Sequence, residues 1–263
     1  MPRKNNPKDF IGKEKTNTNG SIMKIIEYNN VHNIIVLFTE YNWTTKTEIK
    51  HFNSGKVKCP YDKSLAGIGY LGEGQYKVWD STNNKMTPQY KKWSSMITRC
   101  YNTNNLKKKP CYSECYVCEE WHNYQNFAQW YDENYYEVPG EVMHLDKDIL
   151  IKGNKEYGPD TCCFVPAKIN CCWVNEYKED DLPPGVKRRK DYKTFKYTSC
   201  LGITNKGESK RIYLPTVNSP EEAFYNYKEA KEHYVKQIAD EYIDYLPPHV
   251  YEALYNWTID ISD

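Results

Sequence analysis

His144, Asp146 and Asp148 occupy alternate positions in the stretch His144-Leu145-Asp146-Lys147-Asp148-Ile149-Leu150. On a strand, alternate side chains share a face, so these three would point one way and Lys147 the other. One imidazole and two carboxylates on a face can hold a hard divalent ion or position a water molecule. The same spacing also suits a solvated strand face. Asn154 follows in the next loop, and Asn170 in the next helical stretch. A second set of candidates is sulfur. Cys115 and Cys118 have the C-x-x-C spacing of a metal knuckle, and Cys100 and Cys162 would complete a four-thiolate zinc site, with Cys111 and Cys163 as competitors. The alternative is reduced thiols that fill small core spaces. Gly67-Ile68-Gly69-Tyr70-Leu71-Gly72 spells a dinucleotide fingerprint, but no apolar strand precedes it and Glu73-Gly74 follows where a helix should begin. It reads as a plain Gly-rich loop.

The elements that must position these residues follow from turn and periodicity signals. Residues 142–151 read as a strand, Lys152-Gly153-Asn154 and Tyr157-Gly158-Pro159-Asp160 as turns, 162–165 as the return strand and 167–175 as a short helix. Upstream, 90–101 and 118–131 carry aromatic and apolar residues at helical spacing. Residues 21–75 read as a small β-rich module, with the apolar run 34–38 pairing with 44–52, and residues 1–20 as a flexible tail. Leu182-Pro183-Pro184-Gly185 is a linker. Beyond it lie strand-like stretches at 193–200 and 211–214. Ser219-Pro220-Glu221-Glu222 then starts a helix over about 220–242. Residues 249–257 add a last short helix.

Composition limits the class. The net charge is +1, and 25 Tyr and 7 Trp contribute to an aromatic content of 15%. Tyr suits thin cores and wet interfaces. Charge is segregated along the chain. Residues 91–109 hold six basic groups and no acid, residues 110–141 hold seven acids and no Lys or Arg, and residues 183–214 hold nine basic groups against Asp191 and Glu208. Local basic stripes attract a nucleic-acid backbone whatever the total charge. No 18-residue apolar run suggests a membrane span. Met1-Pro2-Arg3-Lys4 leads into polar residues rather than a signal-peptide core. The expectation is a cytoplasmic protein, in a host cell, whose ten cysteines are reduced.

Arg99-Cys100-Tyr101, Val117-Cys118-Glu119-Glu120-Trp121, Leu145-Asp146-Lys147-Asp148, Gly153-Asn154, Tyr157-x-Pro159-x-Thr161-Cys162 and Phe164-Val165-Pro166 together, in order and spacing, resemble a phage HNH-endonuclease family. The resemblance implies a ββα-metal fold over 76–180 that binds one Mg²⁺ or Mn²⁺ ion and hydrolyses DNA. On that pattern Asp146 is the first-strand metal ligand, Asn170 a second ligand from the helix, and Asn154 the central residue that orients the loop and the base. The family's general-base His follows the ligand Asp directly, and here that position is Lys147. A protonated lysine is a poor base near neutral pH. His144 or Asp148 would have to serve instead.

Gly185-Val186, the basic stretch to Leu214, and Ser219-Pro220-Glu221-Glu222-Ala223-Phe224 with Tyr227-Lys228 resemble the three-stranded-sheet-plus-helix domain of plant ethylene-response factors. This implies that the sheet over 181–263 contacts DNA through Lys187, Arg188, Arg189, Lys190, Lys193, Lys196 and Arg211. The usual Leu-Gly-x-Phe step before the helix is missing. The expected architecture is therefore α+β: a small N-terminal β module, an HNH-like ββα centre with flanking helices, and a C-terminal three-stranded sheet plus helix. Rival expectations are a non-enzymatic DNA-binding protein and a phage factor that binds a host defence complex, since Tyr is enriched at protein interfaces.

Overall fold

The computed structural model describes residues 6–172, 181–190, 196–205 and 208–263, with side chains at all of these except 204, 205, 208 and 209. The fold is α+β, and the chain divides into two compact units, Met1–Glu133 and Asn134–Asp263.

The first unit opens on a four-stranded antiparallel meander: β1 (Glu14–Thr16), β2 (Ile22–Asn30), β3 (Asn33–Phe38) and β4 (Trp43–Thr47). In β3 the apolar run is split by the pleat, so that Ile34, Val36 and Phe38 are fully buried while Ile35 and Leu37 are only half-buried. With Met23 and Ile25 of β2, and with Phe52, Val57 and Cys59, they form the module's core. Part of the expected 1–20 tail is ordered by partners distant in sequence. β1 pairs with β2, and Asn17 is buried, donating to Val57 O and Asp62 Oδ2. The expected strand 44–52 stops at Thr47, and Ile49–Ser54 is helix α1, closed by Gly55 in the left-handed conformation (φ 70). The Gly67–Gly72 stretch is a loop in which Leu65 bridges Gly69.

A two-residue ribbon, β5 (Trp79–Asp80) with β6 (Lys85–Met86), leads into helix α2 (Pro88–Tyr101). Thr87 caps α2 by accepting from Tyr90 N, and Pro88 sits in the first turn. Helix α3 (Thr103–Lys108), the short strand β7 (Tyr116–Val117) and helix α4 (Tyr124–Asn134) follow. The single helix expected over 118–131 is in fact two pieces. A 3-10 turn spans Glu119–His122, and Asn123 is extended because Tyr70 donates to His122 O and accepts from Tyr124 N. The aromatic residues make this core. Trp93 Nε1 donates to Trp121 O at 2.7 Å, Trp121 meets Phe127 edge-on with 5.0 Å between ring centroids, and buried Tyr124 keeps its hydroxyl bonded to Lys77 O.

The second unit contains an antiparallel pair, β8 (Met143–Asp146) and β10 (Cys163–Pro166), with a short strand β9 (Glu156–Tyr157) in the connection and helix α5 (Ala167–Cys171) after it. Then come β11 (Val186–Arg189), β12 (Lys196–Asn205) and β13 (Glu208–Tyr213) in one antiparallel sheet, helix α6 (Pro220–Glu241) and helix α7 (Pro248–Tyr255). Helix α6 packs on β11 and β12 through Ala223, Phe224 and Tyr227, and its later turns reach α5 and α7. Ser219 caps it by accepting from Glu222 N at 3.1 Å. No helix among the described residues is long and apolar enough to cross a membrane.

Candidate functional site

Strand β8 ends at Asp146, five residues short of the expected strand, and the reason is the aspartate itself. Asp146 Oδ1 accepts from Asp148 N at 2.7 Å and from Ile149 N at 2.9 Å, which turns the chain out of the sheet. His144 and Asp146 keep a common face on β8, opposite Val165 and Cys163 of β10. Asp148 lies beyond the end of the strand. Burial raises the Asp146 carboxyl above the usual carboxylate range, against the pull of the two amides and of Lys147. Its Oδ2 accepts no hydrogen bond among the described residues.

Lys147 is 6% exposed, and its ammonium donates to Asp148 Oδ1 and to Asn154 O, both at 2.7 Å, above the Tyr157 ring. Lys147, which the sequence resemblance sets where a general-base His would stand, thus acts as a tie across the loop between a carboxylate and a carbonyl. It also takes up one oxygen of Asp148, one of the two residues that would stand in as base. Asn154 donates to Lys147 O at 2.8 Å and Glu156 O at 2.6 Å, and accepts from Glu156 N at 3.1 Å. Thr161 closes the far side through Glu156 O at 2.9 Å. The loop that carries Asn154 is therefore fixed by its own side chains. Asn170 lies half-buried on α5, and His144 half-buried on β8.

Among the described residues no group of three or more His, Cys, Asp or Glu gathers to hold a metal. The expected set of His144, Asp146 and Asn170 contains only two residues of that kind, since Asn170 offers an amide. Cys100 is buried on α2, Cys115 is buried with its thiol toward Cys111 O, and Cys118 is half-buried; these three belong to the first unit and Cys162 to the second.

The basic residues of the C-terminal sheet sort by strand register. Facing pairs are Val186 with Ser199, Lys187 with Thr198, Arg188 with Tyr197, Arg189 with Lys196, Gly202 with Arg211 and Cys200 with Tyr213. Ser199 Oγ donates to Ala223 O of α6, so Val186, Arg188 and Leu201 lie on the helix side. Lys187, Arg189, Lys196, Arg211 and Tyr213 lie on the opposite face, with buried Thr198 and Cys200 between them. Tyr213 is 69% exposed there. Lys196 is held by Asn218. Arg188 is bonded to Asp181 at 2.5 Å, which keeps that carboxyl below its ordinary range. Lys190 is exposed just past β11, and Lys193 lies outside the described residues.

Sequence reasoning missed two buried charges. Asp62 accepts from Asn17, Asn19, Ser21 and Cys59 N. Lys231 of α6 donates to Cys172 O at 2.7 Å. Lys231 was detectable, because it sits four residues after Tyr227 and four before Val235 on the apolar stripe. Asp62 was not, because its side-chain partners lie more than 40 residues away.

No family model, no curated protein and no solved structure matches this chain.

Proposed function

We propose that the protein binds DNA through the face of its C-terminal sheet opposite α6, as a protein of the phage HNH type. The observation that carries this reading is the register that puts Lys187, Arg189, Lys196 and Arg211 on one face while α6 covers the other. Cations spaced along a sheet match a phosphate backbone, and the sheet brings them to it as a rigid set. The test is a triple variant, Lys187→Ala, Arg189→Ala and Arg211→Ala, in the full-length chain. Removing residues 183–263 would be a poor test, because α6 packs on α5 and its Lys231 bonds Cys172. Each lost phosphate contact should flatten the slope of log affinity against log salt by about 0.9, so the triple variant should lose between about 2 and 3 from the slope. Binding that is unchanged and equally salt-dependent would remove the proposal.

A second reading, metal-dependent hydrolysis at the hairpin, is favoured by one observation: Asp146 keeps Oδ2 available on the face it shares with His144. Asp146 and Asn170 would hold a Mg²⁺ or Mn²⁺ ion, which would supply charge neutralisation at the phosphate. Asn154 fixes the loop, and His144 is left to take the proton from water, since Lys147 and Asp148 hold each other. Asp146→Asn keeps the Oδ1 acceptor and should fold; it should abolish nicking of plasmid DNA while binding persists. His144→Ala should slow nicking about a hundredfold. Wild-type protein that binds DNA but cuts none in either metal would leave the binding reading alone standing.

A further inference from the structure

We propose that the corner formed by α2 and α3 in the first unit is a second nucleic-acid surface, one that grips backbone phosphates without reading sequence. This inference rests on the DNA-binding reading for the class of its ligand, but not on the C-terminal sheet. Its ground is a run of exposed cations on and beside a firmly built corner. Lys91, Lys107, Lys108 and Lys109 are exposed, and among the described residues none of the four forms an ion pair. They fall in the stretch 91–109, which carries six cations and no acid. The corner is firmly built. Asn102 ends α2 and caps α3, accepting from Asn104 N and Asn105 N at 3.1 Å, and the Arg99 guanidinium lies 5.1 Å over the Tyr112 ring just beyond α3. Lys92 and Arg99 are seven residues apart on α2, and the positive field of Arg99 joins burial in pulling the Lys92 ammonium below its ordinary range. Concentrated positive charge of this kind costs free energy through self-repulsion, and an anionic polymer relieves it. Lysine acts here as a point charge, which suits phosphate and carries no base recognition.

The experiment uses the full-length chain with Lys91, Lys107, Lys108 and Lys109 changed to Gln. Binding is measured by fluorescence anisotropy on two 30-base-pair duplexes of unrelated sequence, over a range of NaCl concentrations, beside the sheet variant described above. Because all four side chains are exposed, circular dichroism and thermal melting should match wild type. The expected result is an affinity loss of tenfold or more at 0.15 M salt, equal for both duplexes, with a slope lower by between about 3 and 4. A patch variant that binds like wild type while the sheet variant is weakened overturns this inference and leaves the DNA-binding reading intact. A patch variant that is weakened while the sheet variant is not supports this inference and overturns the sheet assignment. Wild-type protein that ignores both duplexes overturns both. Vesicles of phosphatidylserine and phosphatidylcholine form the last arm: capture of wild type but not of the patch variant, with no difference on DNA, would assign the corner to an anionic membrane and overturn the inference.

Discussion

Asn154 shows how much one side chain can hold. Its amide joins three backbone groups, on Lys147 and Glu156. Substitution by Ala would leave Lys147 O and Glu156 N without that partner, while Glu156 O would keep only Thr161 Oγ1. A buried polar group left without its partner costs about 1–3 kcal/mol, so Asn154→Ala should lower stability by about 2–3 kcal/mol in urea unfolding. A loss under about 0.5 kcal/mol would show that the loop does not depend on it. Lys147 carries a different lesson. The sequence resemblance sets it where a general-base His is expected. Its ammonium instead replaces that chemistry with a strut, because at 6% exposure it is held by Asp148 and Asn154 O rather than by water.

Elements depend on close approaches that only certain residues allow. Gly185 enters β11 at φ 74, and a Cβ there would lie 2.7 Å from the Tyr227 ring of α6. Gly185→Ala therefore meets both a left-handed backbone, worth about 1–2 kcal/mol, and an overpacked contact, worth about 1–3 kcal/mol. Thermal unfolding should show a loss of about 2–4 kcal/mol, and a variant as stable as wild type would mean that α6 is free to move off the sheet. The segment after α7 is a second case. Lys228 donates to Ile259 O and Glu232 accepts from Ile259 N, while Lys152 in the hairpin loop donates to Thr258 O and Asp263. Deleting residues 257–263 removes buried Ile259 and should cost about 2 kcal/mol, read as a lower urea midpoint. The order of elements was legible in the sequence wherever local signals decide it. Ser219-Pro220 marks the start of α6, Gly153-Asn154 marks the turn between β8 and β10, and the helix expected over 90–101 is α2, which starts two residues earlier at Pro88. The ends that were misplaced are those set by distant or side-chain partners. Strand β8 ends because Asp146 caps the turn, the 118–131 helix breaks because Tyr70 docks at Asn123, and part of 1–20 is ordered because β1 finds β2. The basic sheet residues were legible as a group. Their division between two faces was not, because it needs the register of β11, β12 and β13.

At the scale of the whole molecule, the tyrosines and cysteines make the fold sensitive to alkali. Burial raises the thiols of Cys163 and Cys172 and the phenols of Tyr136, Tyr234 and Tyr242; Cys172 is pushed up to about 11 and Tyr234 to about 12. Each is neutral in the fold at a pH where the unfolded chain has already lost the proton. A group whose folded value lies above its unfolded one contributes stability in full below the unfolded value, and that contribution disappears as pH rises toward the folded value. For the thiols the window opens near 8.5, and for the phenols near 10. Stability on this account is level between pH 6 and 8 and falls from about pH 9 upward. By pH 10 Cys172 alone should account for about 1 kcal/mol or more, even with the nearby Lys231 ammonium favouring its thiolate. Urea unfolding at pH 7.5, 9 and 10 should show midpoints that step downward. Alkylation of the native protein at pH 8 should label exposed Cys111 well before Cys163 or Cys172. A midpoint that holds steady to pH 10.5, or equal labelling of Cys111 and Cys172, would mean that the second unit opens to solvent more readily than its packing allows.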